Sequence, residues 1–214
     1  MLREVRNFNE LDSIANDLRN YKLICFDLDG TLINSEPLHI SATKALLHEY
    51  QLAVDNDQLH DWVTGNADKD IWPQIQQHYI SLQPVPYDVF SNYKDKNIAD
   101  QINNSPNLKL EAEIIAFLEK CKELNLKTAL VTASPINFAK PILQYLEMDF
   151  FFDLVITADD VSKTKPDPLP YHTAMQTFNV TPNETLIFED SATGVKAAIS
   201  SEATTYQVSW FAPR

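Results

Sequence analysis

Glycine is nearly absent from this chain: Gly30, Gly65 and Gly194 are the only ones in 214 residues. None is placed to make a GxGxxG fingerprint or a Walker loop, which disfavours dinucleotide and P-loop nucleotide sites. Cysteine is equally scarce, with Cys25 in an apolar run and Cys121 in a helical pattern. Two such residues make no disulfide framework and fit a reducing compartment. Cations are outnumbered, 17 Lys and Arg against 30 Asp and Glu, and the net charge of −13 argues against nucleic acid, whose phosphates would be repelled. The same charge would repel a small phosphorylated substrate, so any such site needs its own local cation. The opening residues, Met1 to Asn7, contain no apolar core of signal-peptide length, and no run is long enough to span a bilayer. These absences lead to the expectation of a cytoplasmic protein, monomeric, with no membrane or nucleic-acid partner.

What the chain does have is a 44% hydrophobic content, enough for a substantial core. Its organising stretch is Leu23-Ile24-Cys25-Phe26-Asp27-Leu28-Asp29-Gly30-Thr31. Consecutive apolar residues read as a strand buried on both faces, and it ends in two carboxylates one residue apart. Open α/β sheets hold ligands at that end of their strands. An Asp-Gly turn is the ordinary alternative, although no alternating second strand follows it.

Asn9 to Leu18 has helical spacing with Asn9 as a candidate N-cap. Residues 38 to about 104 read as mostly helical, with Pro73 expected near a helix start. From Ala112 onward helices and strands alternate. Helices are expected at Ala112–Leu124, Asn137–Leu146, Leu169–Phe178 and Ala192–Ser200. Strands are expected at Lys127–Val131, Leu154–Thr157, Thr185–Phe188 and Thr204–Val208, with Gly194 in a turn after the third of these. Alternation of this kind specifies a parallel sheet. The fold expected is α/β, a Rossmann-like core (1–34 and 106–214) carrying an inserted helical cap (35–105).

Each strand end carries polar chemistry. Asp27 and Asp29 follow the first, Thr132-Ala133-Ser134 the second, and Glu189-Asp190-Ser191 a later one; Lys165-Pro166-Asp167-Pro168 precedes a helix. Singly these read as helix caps or a solvated lysine. Together they resemble the four motifs of the haloacid dehalogenase superfamily. Ser35-Glu36-Pro37-Leu38-His39 after the first motif resembles the β-phosphoglucomutase-like phosphatase branch.

That resemblance implies a Mg²⁺-dependent phosphatase acting on a small phosphorylated metabolite through an aspartyl-phosphate. It implies that Asp27 is the nucleophile, Asp29 the acid and base, Lys165 the fixed positive charge, and Thr132 a ligand of a phosphoryl oxygen. Mg²⁺ would be held by Asp27, the Asp29 carbonyl and Asp190, with Glu189 ligating it or orienting a metal-bound water. Gly30, Thr31, Ser134, His39, Gly65 and Asn66 would surround the substrate, and Trp62, Thr64 and Lys69 would overhang it from the cap.

The chain departs from the family's mutase pattern in two places. Thr64-Gly65-Asn66-Ala67-Asp68-Lys69 contains no arginine, and Pro135-Ile136-Asn137 supplies no lysine after Ser134. A second phosphate would lack its grip, so phosphatase is favoured over sugar phosphomutase. A non-catalytic phosphate-binding member is a further alternative, and metal-free dehalogenation would leave Asp29, Glu189 and Asp190 without use. The unusual end of the chain, through Trp210 and Phe211, is expected to touch only the sheet edge.

Overall fold

The computed structural model describes residues 2–64, 68–102 and 108–212. Their contacts divide the chain into two compact units, Met1–Asn34 with Leu108–Arg214, and Ser35–Asn107. No helix among the described residues is long and apolar enough to cross a membrane.

The first unit begins with β1 (Leu2–Val5), α1 (Glu10–Ala15) and β2 (Leu23–Phe26). The second holds α2 (Glu36–Glu49), α3 (Asn56–Val63), α4 (Asp68–His78) and α5 (Tyr87–Ile102). The first resumes with α6 (Ala112–Glu123), β3 (Lys127–Val131), α7 (Ile136–Tyr145), β4 (Leu154–Ile156) and α8 (Leu169–Phe178). It closes with β5 (Thr185–Glu189), α9 (Ala192–Ser200) and β6 (Thr204–Val208).

The strands form one six-stranded parallel sheet in the order β1-β6-β5-β2-β3-β4. This is the α/β Rossmann-like class. From β2 the chain runs outward to β3 and β4, then returns to β5 on the other side. The order therefore reverses at β2, the position where such sheets open a crevice at their carboxyl ends. Pleat parity sorts the two faces. Leu23 and Cys25 of β2 pack with Ile187 of β5 against Tyr171, Ala174 and Met175 of α8 and Ala197 and Ala198 of α9. On the opposite face Phe26 stacks on Phe188 at 5.2 Å, and Phe117 of α6 meets both edge-on.

Several local expectations need correction. β1 carries no strand signal because only its last residue, Val5, is buried; it is held by pairing to β6. The first helix stops at Ala15, and Leu18 begins a separate 3-10 turn to Asn20. Asn9 makes no side-chain cap; the Glu10 carboxylate instead accepts from the Arg6 and Asn7 backbone N–H groups. Pro73 lies inside α4 rather than near its start. Its missing N–H forgoes one helical bond, but Ile71, Trp72 and Ile75 on either side are buried and carry the helix past it.

The second unit has its own core of Leu46, Leu59, Trp62, Val63, Ile71, Trp72, Ile75 and Phe90. Trp72 stacks on Phe90 at 4.4 Å. Trp62 is only 9% exposed and packs in this core against His78 and Tyr79. Lys94 is fully buried, bonded to Asp68 and lying 5.4 Å from the Phe90 ring centroid. Asp68 keeps 23% of its side chain exposed, so its carboxylate stays solvated when Lys94 is lost; what separates the replacements is the cavity that alanine leaves and methionine fills. Lys94→Ala is expected to lower unfolding stability by about 3 kcal/mol. Lys94→Met should lower it by about 1 kcal/mol or less; urea unfolding midpoints with unchanged slopes check both.

Candidate active site

The site starts from strand register. Phe26 is paired with Phe188 on one side and Leu130 on the other. The residues after them, Asp27 and Glu189, therefore lie side by side, and the ladder continues through the Asp27 N–H bond to the Phe188 carbonyl at 3.0 Å. By the alternation that buries Leu23, Cys25 and Ile187 against α8, both carboxylates emerge on the α8 face. Asp27 is 6% exposed and Glu189 is fully buried. Two like charges in such a place require a cation, and Lys165 supplies it from the loop before α8. Its ammonium donates to Asp27 Oδ1 at 2.6 Å and also to Glu189 Oε1. It is itself 6% exposed.

Glu189 is saturated with donors. Oε1 accepts from Lys165 and from the Tyr171 hydroxyl at 2.9 Å. Oε2 accepts from the Ser191 N–H at 3.3 Å and its hydroxyl at 3.2 Å. Ser191 is also the N-cap of α9, accepting from the Gly194 N–H at 3.0 Å. The ordinary explanation of Asp190 as a helix cap therefore does not apply. Gly194 lies in the first turn of α9, and a side chain is excluded there because a Cβ would sit 2.0 Å from Glu189 Oε1. Gly194→Ala is expected to cost about 1–3 kcal/mol of stability by overpacking. It should also lower kcat about tenfold or more by displacing Glu189 and with it Lys165; steady-state kinetics beside a urea titration read both.

Asp190, partly buried, accepts from the Thr31 hydroxyl at 3.3 Å. Gly30 passes directly beneath it at φ +76°, and a Cβ on Gly30 would stand 2.0 Å from Asp190 Oδ2. Only glycine meets both demands. Asp29, half-buried, accepts from the Ser134 hydroxyl at 2.7 Å, which ties the β2 loop to the β3 loop. Thr132 is buried, and its hydroxyl accepts the Ser134 N–H at 3.0 Å while its own hydrogen can still donate.

One lysine among these carboxylates leaves the cluster short of positive charge. Burial pushes the Asp27 carboxyl well above its usual range; Lys165 opposes this, and Glu189, Asp190 and Asp29 add to it. Burial and then the charges of Glu189 and Asp29 push Asp190 up to about 7. Burial alone would discharge Lys165, but Asp27 and Glu189 hold it protonated, raised above its ordinary value.

The structure thus brings together Asp27, Asp29, Gly30, Thr31, Thr132, Ser134, Lys165, Glu189 and Asp190 within the first unit. His39 lies half-buried on α2 of the second unit, where its carbonyl accepts from the Thr43 hydroxyl. Gly65 and Asn66 lie outside the described residues. In the second unit the Thr64 hydroxyl bonds Glu36, and Lys69 is exposed.

Two residues were missed by sequence reasoning. Tyr171 looks like one more apolar position on α8. Trp210 was expected at the sheet edge, yet its indole N–H donates to the Thr31 carbonyl at 2.9 Å while its ring stacks on Phe8 at 5.0 Å. The end of the chain therefore supports the same loop that carries Asp29 and Gly30.

A haloacid dehalogenase-like hydrolase model matches residues 24–208. The phosphorylated carbohydrates phosphatase of Thermotoga maritima is 31% identical over 180 residues, spanning 83% of this chain and 80% of that protein. A phosphoglycolate phosphatase of Photorhabdus laumondii is 28% identical over 187 residues, spanning 85% and 77%. The crystal structure of a haloacid dehalogenase hydrolase from Entamoeba histolytica has the same fold, with a TM-score of 0.76 at 22% identity over 90% of this chain and 86% of that one. With its motif residues gathered at the sheet's switch point, the chain belongs to the haloacid dehalogenase-like hydrolase family and is a phosphoric monoester hydrolase.

Proposed function

We propose that the protein hydrolyses the phosphate ester of a small phosphorylated metabolite through an aspartyl-phosphate on Asp27, with Mg²⁺ as its metal. The observation that carries this reading is the Lys165 ammonium, shared between Asp27 and Glu189 in a pocket of uncompensated carboxylates.

The donor set fits a hard divalent ion. Asp27, Glu189 and Asp190 can each present an oxygen with all three within 4.8 Å of one another. Asp27, Asp190 and the Asp29 carbonyl would hold the ion, and Glu189, with its oxygens already occupied, would act through a water. When bound, Mg²⁺ supplies the positive charge that lets an anionic nucleophile meet an anionic phosphate.

The protein's own residues account for the remaining chemistry. An Asp27 oxygen attacks phosphorus, and the bond from phosphorus to the ester oxygen breaks. Asp29, positioned by Ser134, gives its proton to the departing oxygen. Water then attacks the phosphorus of the aspartyl-phosphate and passes a proton to Asp29, releasing phosphate and restoring Asp27. Lys165 and the Thr132 hydroxyl stabilise charge on the transferring group.

The second unit would serve as the cap that selects substrate, with His39, Gly65 and Asn66 as its contributions. The named activities of relatives support phosphorylated sugars or phosphoglycolate as first candidates. A panel of phosphorylated metabolites assayed with Mg²⁺ for free phosphate tests the reading. Isomerised sugar phosphate in place of phosphate would support a mutase, and no turnover across the panel would support a binding protein.

A further inference from the structure

We propose that Tyr171 is a positioning residue for the reaction, whose hydroxyl fixes Glu189 and through it the aim of the Lys165 ammonium. This rests on the phosphatase reading of the site. Tyr171 is fully buried in the first turn of α8, packed in the cluster that holds Leu23, Cys25, Ile187 and Ala197. Phenylalanine would fill this apolar slot with the same ring and no hydroxyl to desolvate, so packing alone does not call for tyrosine. Among the described residues the hydroxyl has one partner, Glu189 Oε1 at 2.9 Å, and the ring lies 5.3 Å from the Lys165 nitrogen.

The geometry explains what such a contact accomplishes. Lys165 carries three N–H bonds, and two are directed at Asp27 and Glu189. The direction of the third is then set by the tetrahedral nitrogen, and it is the one left to meet a phosphoryl oxygen. That direction is only as well defined as the Glu189 carboxylate. Ser191 holds Oε2 from the α9 side, and Tyr171 holds Oε1 from the α8 side. Without the hydroxyl, Glu189 can pivot about Ser191, and the ammonium follows it.

The test is a double-mutant cycle in full-length protein with Mg²⁺ and an aryl phosphate, reading kcat and KM separately. Tyr171→Phe is expected to lower kcat about tenfold, with KM within about twofold of wild type and an unchanged circular dichroism spectrum. In a Lys165→Ala background the same substitution is expected to have no further effect, because the hydroxyl acts through the ammonium. Wild-type kcat in Tyr171→Phe would overturn the proposal. So would an equal loss in both backgrounds, or a variant that fails to fold, since each marks a role in packing instead. Asp27→Asn is run alongside: if it retains activity, or if wild type releases no phosphate, the phosphatase reading itself fails and the proposal with it.

Discussion

Replacing Asp27 by Asn should remove phosphate release altogether, a fall of at least about 10⁴-fold in kcat, while leaving the fold intact. The substitution keeps the volume and both branch positions of the side chain but exchanges the carboxylate proposed to attack for an amide, a poor nucleophile. It also takes one negative charge from a cluster in which burial and three other carboxylates already raise the Asp27 carboxyl. The metal-free variant is therefore expected to be at least as stable as wild type, so lost activity cannot be ascribed to unfolding. Phosphate release from an aryl phosphate, read beside thermal melts, checks both halves. Substantial residual activity would place the nucleophile elsewhere.

Asp190→Asn has the second-largest expected effect, about a hundredfold or more on activity, together with loss of the response to Mg²⁺. Partial burial, and then the charges of Glu189 and Asp29, push the Asp190 carboxyl up to about 7. A carboxyl raised in the folded state contributes stability at low pH that is lost as pH rises through its folded value. For Asp190 the loss runs from its ordinary 3.8 to about 7, with Asp27 acting in the same direction. Metal-free wild type should therefore melt at lower temperature as pH rises through this window. Mg²⁺ held as proposed would bind the ionised ligands, so its stabilisation should grow over the same range. At a hundredfold excess over its dissociation constant it should reach about 2.7 kcal/mol. In Asp190→Asn the pH slope should flatten and the Mg²⁺ shift disappear. A full Mg²⁺ shift in the variant would remove Asp190 from the metal site.

Much of this site was legible in the sequence because its chemistry sits at strand ends. Apolar runs such as Leu23 to Phe26 stop abruptly where polar residues begin, and those boundaries are local signals. The sheet order then brings Asp27, Thr132 and Glu189 together without further information. What escaped depends on contacts far apart in the chain. Tyr171 is indistinguishable from a core aromatic until Glu189 is placed above it. Trp210 reaches Thr31 across 179 residues. Gly194 carries no local sign of why it is glycine; the Glu189 carboxylate, placed by the sheet, is what excludes a side chain there. β1 was invisible because three of its four residues are exposed and its partner strand lies at the far end of the chain.

The central claim is that Asp27 carries the phosphoryl group between the two halves of the reaction. Mixing enzyme, Mg²⁺ and a turned-over phosphate ester, quenching in acid before the first turnover completes, and mapping peptides by mass spectrometry tests it directly. The account predicts one added phosphoryl group on the peptide containing Asp27, sensitive to hydroxylamine and absent from Asp27→Asn. An unmodified Asp27 peptide during active turnover, with the phosphoryl group on another residue or on none, would contradict it.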